Sequence, residues 1–489
     1  MPDSKDTVTR TAKKTVLPAF VLTEVCEATD DEAVRLALPS EGDRLEYYER
    51  PKLADTGQRR DGKPKWKASR FNLFPVVLES TGLPWPEANV YIVSRLENAS
   101  DPSMTTYDGI AEDLAAYRRF LDEEEIDWQK FPAQRLARPT YRYSASLSRA
   151  VSEGKIAASS GKRRMSSVIG FYNWVIKEEV IKPAHLPWRE KDVLLTVTGN
   201  HGFELTKHVT TTDVSIKIPK QQDPYDGCID DGGKLRPLPV EEQRWVLDGL
   251  FAQGNTEMTL IHLLALATGA RIQTVLTFRV KNLRKLTEEQ LSAGEIRCPI
   301  GPGTGIDTKR DKRMSLHIPL WLYRMLQTYS TSERARQRRT LAKGGDVDNQ
   351  YLFLSKYGTP FYQSKEDSRA FDETNELRHA LKGQSVRKYM SEVVIPYVRA
   401  KHSASFHYRF HDLRASFGMN LTDNQLKLVE QGKATLSNVR EFVKVRMGHS
   451  SAVTTDLYLT YRGNIAQVAQ VTDDHDDYLR DLAEMAGVV

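Results

Sequence analysis

The chain has 489 residues, of which 40% are hydrophobic and 28% charged. That profile suits a globular protein with several separately packed domains and excludes a single small module. No apolar run approaches the roughly 18 residues that a membrane span requires, and the net charge of +5 with a pI of about 8.8 is only mildly basic.

Other simple classes fall away as quickly. The short apolar piece VLPAFVL at 16–22 ends without a small-residue cleavage pattern, so no secretory signal is expected. Cys26, Cys228 and Cys298 lie far apart with no CxxC spacing, which argues against a disulfide framework or a zinc site and fits a reducing cytosol.

In chain order, residues 1–80 read as a loosely structured N-terminal region, with the polar stretch RPKLADTGQRRDGKPKWKASR at 50–70 as a possible basic arm. Helical periodicity begins at Pro84. Ile110, Leu114, Tyr117 and Leu121 recur on one face, as do Met165, Val168, Ile169, Tyr172, Val175 and Ile176. These segments predict an all-α domain over 81–195. Between Lys130 and Glu190 the chain carries 12 Lys or Arg against 4 acids, a segregated +8 that suits contact with phosphates. Lys162, Arg163 and Arg164, at the start of one amphipathic helix, are its candidate DNA contacts. Residues 196–234 are rich in Thr, Gly, Asp and Pro and read as a linker, with one strand expected at VSIKI.

A second, mainly helical domain is expected over 235–489, with a β-hairpin between EIRCPI and SLHIPL that turns through the basic GPGTGIDTKRDKRM. Before it, LLALATGARIQTVL breaks a helix at Thr268 and Gly269 and starts another near Arg271, beside free backbone N–H groups. Further on, FHDLRASFGMNL places His411 and Arg414 on one helical face, three residues apart. Then MGHSSAVTTDLY puts Tyr458 nine residues after His449, with Gly448 allowing a tight turn. The tail TDDHDDYLRDLAEMAG predicts an amphipathic helix over about 472–486.

Taken in order, TGAR, a lysine on a hairpin turn, FHDLR and GHSSAVTTDLY resemble the tyrosine recombinase, or phage integrase, family. The resemblance covers about 235–465, and the helical segment before it looks like that family's core-binding domain. It implies a mainly α protein with a small sheet in an α+β catalytic domain, and a site of Arg271, Lys309, His411, Arg414, His449 and Tyr458. It also implies double-stranded DNA as substrate, a homo-tetramer on that DNA, possible accessory recombination proteins, no membrane and no cofactor. The tail helix corresponds to the segment that docks on a neighbouring protomer in the family.

The implied chemistry explains the residue types. Arg271 and Arg414 would grip a phosphate with permanently charged planar forks, and His449 would add a hydrogen bond. Tyr458 would attack to leave a 3′-phosphotyrosine, Lys309 would protonate the departing 5′ oxygen, and His411 would take or relay the phenol proton. The linkage retains the ester's energy, so resealing needs neither ATP nor metal. Lys312 competes with Lys309, and Tyr461 and Tyr408 with Tyr458. Thr274 stands where the family often has an acid. A type IB topoisomerase, or a DNA-binding regulator without catalysis, are the other functional readings.

Overall fold

The computed structural model describes residues 11–27, 47–51, 53–58, 64–68, 70–99, 102–198, 204–217, 227–367 and 378–464. They form two compact units, one drawn mainly from 1–220 and one from 221–367 and 381–489. The second is mainly helical, the first combines helices with β-hairpins, and the sheets among the described residues are two-stranded and antiparallel.

The first unit is built on helices Pro86–Glu97, Met104–Glu123, Pro139–Ser152 and Ala158–Lys177. Two of these start on a proline, which needs no N–H partner there and has φ preset for the helix. Their apolar faces close on an aromatic core of Trp85, Tyr117, Phe171 and Tyr172. The buried hydroxyls of Tyr117 and Tyr172 satisfy one another at 2.7 Å, and Tyr172 also reaches the Trp128 carbonyl at 2.8 Å.

Two expectations are corrected here. The boundary expected at residue 81 cuts through one core: Lys13–Val21 pairs in register with Arg70–Leu78, and Phe71, Phe74 and Val77 are buried with the helices. The run FNLFPVVL is apolar on both faces, as a covered strand must be. The linker expected over 196–234 contains the second half of a hairpin, Glu190–Thr198 with Glu204–Thr212. Over the described part of VSIKI, residues 214–217, no strand forms; Val214 and Ile216 are buried in the first unit's core.

The second unit centres on Thr256–Thr268, a helix apolar almost all round and therefore covered on every side. Asn255 caps its start by accepting from Met258 N at 3.2 Å. Gly269 ends it at φ 67°, the left-handed position that lets the chain turn at once into Arg271. The expected hairpin forms from Glu295–Ile300 and Met314–Pro319. Helices Asp412–Glu430 and Leu436–Met447 follow, the latter closed by Gly448 at φ 64°, and residues 452–464 are helical again. The tail helix expected at 472–486 lies outside the described residues. No helix among the described residues is long and apolar enough to cross a membrane.

Candidate active site

The residues singled out in the second unit converge on a feature the sequence reading passed over. Ile229–Asp230 and Lys234–Leu235 form a minimal hairpin whose turn presents Asp231, buried to 3% exposure. Arg414 Nε donates to Asp231 Oδ2 at 2.7 Å, and Arg271 reaches Oδ1 at 3.5 Å. His449 Nε2 lies 3.3 Å from Oδ2, and the Tyr458 hydroxyl donates to the same oxygen at 3.2 Å. His411 lies close enough to Asp231 to feel its charge and its backbone. Gly232 packs against Lys309, whose Nζ would lie 2.7 Å from a Cβ placed there.

Each side chain is set by local structure. Arg414 follows the start of its helix and is 4% exposed. Its two terminal nitrogens donate to the carbonyls of Gly269 and Met447, both at 2.8 Å, which are the ends of two helices. His449 is turned inward by Gly448, and its Nδ1 meets Thr455 Oγ1 at 2.9 Å, leaving Nε2 toward Asp231. Tyr458 is fully buried one helix later, its ring 5.6 Å from that of His449. Thr274, in the place of the family's usual acid, donates to the Asp307 carbonyl at 2.8 Å and so fastens the Lys309 loop to the Arg271 helix.

Tyr408 and Tyr461 face elsewhere. The Tyr408 hydroxyl pairs with His262 at 3.2 Å inside the apolar core, and Tyr461 donates to the Gly227 carbonyl at 3.3 Å. Both candidate lysines line a cavity of about 310 Å³ together with Asp231, Arg271, Arg414 and His449. Lys312 is tied by its Nζ to the Gly448 carbonyl at 2.9 Å, whereas Lys309 lies against Gly232. The backbone beyond Lys309 is strained, with Arg310 and Asp311 at φ 60° and 52°.

The electrostatics follow from burying several cations around one acid. Burial alone would raise the Asp231 carboxyl, but the His449 hydrogen bond and Arg414 outweigh it and hold the group well below the usual carboxylate range. Burial, then repulsion from Arg414, lowers Arg271 to about 10. Burial, then Arg414 and Arg271, lowers His411 to about 4, so it is neutral at pH 7. Lys309 is lowered by burial and by Arg271 and Arg310, which eases loss of its proton. Tyr458 is raised by burial and by Asp231 and stays protonated. Arg271 Nε is buried with no hydrogen-bond partner.

In the first unit, Lys162 is exposed and Arg164 half-buried on the Ala158–Lys177 helix. Arg163 has a partner: it donates to the carboxylate of Asp113 at 2.9 Å, an acid that is 1% exposed. Sequence reasoning missed both Asp113 and Asp231, because each meets a cation at least 40 positions away in the chain.

No family model and no characterised protein matches the sequence. Among solved structures, the XerH site-specific recombinase bound to a palindromic difH substrate is similar at 14% identity, covering 79% of this chain and 89% of that one, with a TM-score of 0.44. The Tn1549 transposon integrase in complex with a circular intermediate DNA gives 13% identity, 77% and 98% coverage, and a TM-score of 0.43. A lambda integrase dimer bound to a core site gives 15%, 76% and 94%, and 0.37. These three solved structures are of a site-specific recombinase, a transposon integrase and a phage integrase, each in complex with DNA.

Proposed function

We propose that this protein is a site-specific recombinase that breaks and rejoins double-stranded DNA through a phosphotyrosine on Tyr458, acting in the cytoplasm or nucleoid. One observation carries the reading: Arg271, Arg414, His449 and Tyr458, from four separate segments, all direct a donor at one buried anion, beside a cavity that also holds Lys309. A site that gathers cations and a phenol around one anionic group fits a phosphate better than a neutral substrate.

In the proposed step the Tyr458 oxygen attacks phosphorus as the bond to the 5′ oxygen breaks. Arg271, Arg414 and His449 hold the non-bridging oxygens while charge builds on them, and one oxygen finds the unpartnered Nε of Arg271. Neutral His411 takes the phenol proton, and Lys309 gives one to the 5′ oxygen. A 5′ hydroxyl from a second duplex then attacks the phosphotyrosine and restores the tyrosine. Exchange between two duplexes calls for four protomers, with the basic helix of the first unit holding the DNA backbone. Accessory recombination proteins are further partners in this reading.

The test is a pool of randomised nicked duplexes from which a short 5′ fragment can diffuse away, so that a cleaved product is trapped on the protein. Wild type should give a covalent species on a denaturing gel, with the label mapping to Tyr458, and Tyr458→Phe should give none. Binding without any adduct would instead identify a regulator. Relaxation of supercoils by a monomer with no joined product would identify a topoisomerase.

A further inference from the structure

Resting on the reading that this site takes a phosphate, we infer that Asp231 is a positioning residue that stands in for the scissile phosphate, and that the 229–235 hairpin is a plug which the phosphate displaces. The carboxylate holds two equivalent oxygens sharing one negative charge, as the non-bridging oxygens of a phosphodiester do. It meets Arg414, Arg271, His449 and Tyr458 at 2.7, 3.5, 3.3 and 3.2 Å, the set a phosphate would need. While Asp231 is seated, all three guanidinium nitrogens of Arg414, Nε2 of His449 and the Tyr458 hydroxyl are engaged, whereas Arg271 keeps donor capacity, its buried Nε included.

The fit is good for the carboxylate at Arg414 and poor at Arg271, whose contact is at the limit of a hydrogen bond. Arg414, His449 and Tyr458 all share Oδ2, and Oδ1 has only the long contact to Arg271. A phosphate, with more oxygens, satisfies Arg414 and Arg271 together, so exchange swaps one anion for another without leaving Arg414 unpaired. Asp231 also holds the nucleophile. While the Tyr458 hydroxyl donates to Oδ2 its proton stays on the phenol, and release of the hairpin frees the oxygen for attack.

The hairpin has little backbone pairing of its own and is anchored by the buried side chains of Ile229 and Leu235. Its strands are two residues each, paired only at Lys234–Asp230 and Leu235–Ile229, and Gly232 and Gly233 turn between them at φ 75° and 147°. Those angles are open to glycine at little cost. Gly232 also lies against Lys309, so withdrawal uncovers the lysine together with the cations. A site whose open form is only a fraction of the population binds its ligand more weakly by that fraction.

The full-length protein, wild type, Asp231→Asn and Asp231→Glu, would be titrated with inorganic phosphate at constant ionic strength and followed by thermal unfolding. Asp231→Asn should respond at phosphate concentrations roughly tenfold or more below those needed by wild type, and Asp231→Glu should return toward wild type. Equal response in wild type and Asp231→Asn would overturn the inference. Hydrogen exchange in wild type covers the case in which the Asn variant does not fold. Saturating phosphate should speed exchange over 229–235 while slowing it over 436–449, whereas a merely structural carboxylate predicts no loosening of the hairpin, and that result would also overturn it. Neither measurement requires cleavage, so a protein that never forms the tyrosine adduct would sink the recombinase reading and leave this one standing.

Discussion

Gly418 and Tyr458 are in contact such that the helix carrying the first has no room for even a methyl group against the ring of the second. The Asp412–Glu430 helix thus does two jobs: it supplies Arg414 near its start, and one turn later it opens a slot for the phenol. Gly418→Ala should push the Tyr458 ring off the position that directs its hydroxyl at Asp231. Overpacking of this kind costs about 1–3 kcal/mol. The expected result is a modest fall in melting temperature with a much larger fall in the rate of adduct formation. Equal adduct rates in variant and wild type would show that the ring has freedom this packing denies it.

Arg414→Lys should be nearly as damaging as Arg414→Ala. The guanidinium serves Asp231, Gly269 and Met447 at once, and an ammonium on a flexible stem cannot reproduce three bonds in one plane. Removing the cation takes the shortest partner from a buried carboxylate and leaves it the longer contacts to Arg271, His449 and Tyr458; breaking a buried pair typically costs about 3–5 kcal/mol. Chemical denaturation of both variants checks this; a Lys variant as stable as wild type would mean the two carbonyl bonds contribute little.

The protein should lose stability as the pH falls from about 6.5 toward about 4. His262 is buried and lowered to about 4 by that burial, and His411 is lowered to about 4 by burial and the neighbouring arginines. In both, the unfolded state binds the proton first, so unfolding gains ground through this window, and below it both states are protonated and the loss levels off. For fully buried His262 the whole effect is on the order of 3 kcal/mol. Denaturation curves at pH 7 and pH 5 measure it, and His262→Gln should flatten the slope. A slope unchanged by that substitution would assign it to other groups.

Lys162 and Arg164 should behave unlike Arg163. Replacing the first pair with alanine should weaken DNA binding across sequences and reduce the salt slope by about 2, one unit for each lost phosphate contact. Arg163→Ala should act mainly on stability, because it strands the buried carboxylate of Asp113, which only Ser167 would still hydrogen-bond. Salt-dependent binding and thermal unfolding of the variants separate the two effects. Unchanged salt dependence in the Lys162, Arg164 variant would remove this helix from the DNA-contacting surface.

The site was legible where its information is local. Gly269 before Arg271, Gly448 before His449 and the three-residue spacing of His411 and Arg414 each describe one turn of chain, and each turn forms as its residues dictate. Asp231 was not legible, since it sits in DDGG, a composition that reads as linker, and its partners lie 40 to 227 positions away. The strand at Arg70–Leu78 was missed for a related reason: its partner, Lys13–Val21, stands across a long polar stretch, and an isolated apolar run does not announce what covers it.

The two carbonyls that hold Arg414 close the helices Thr256–Thr268 and Leu436–Met447, and such ends carry partial negative charge. The guanidinium is therefore a splice joining two helix ends, with one edge turned toward chemistry. Fraying of either helix takes away the anion grip itself, not merely its support. Competence to bind phosphate should then disappear in the same cooperative event as the helical core, leaving no partly melted species that still reacts. Arg271, free of such ties on its Nε, is the member of the pair able to follow a moving substrate.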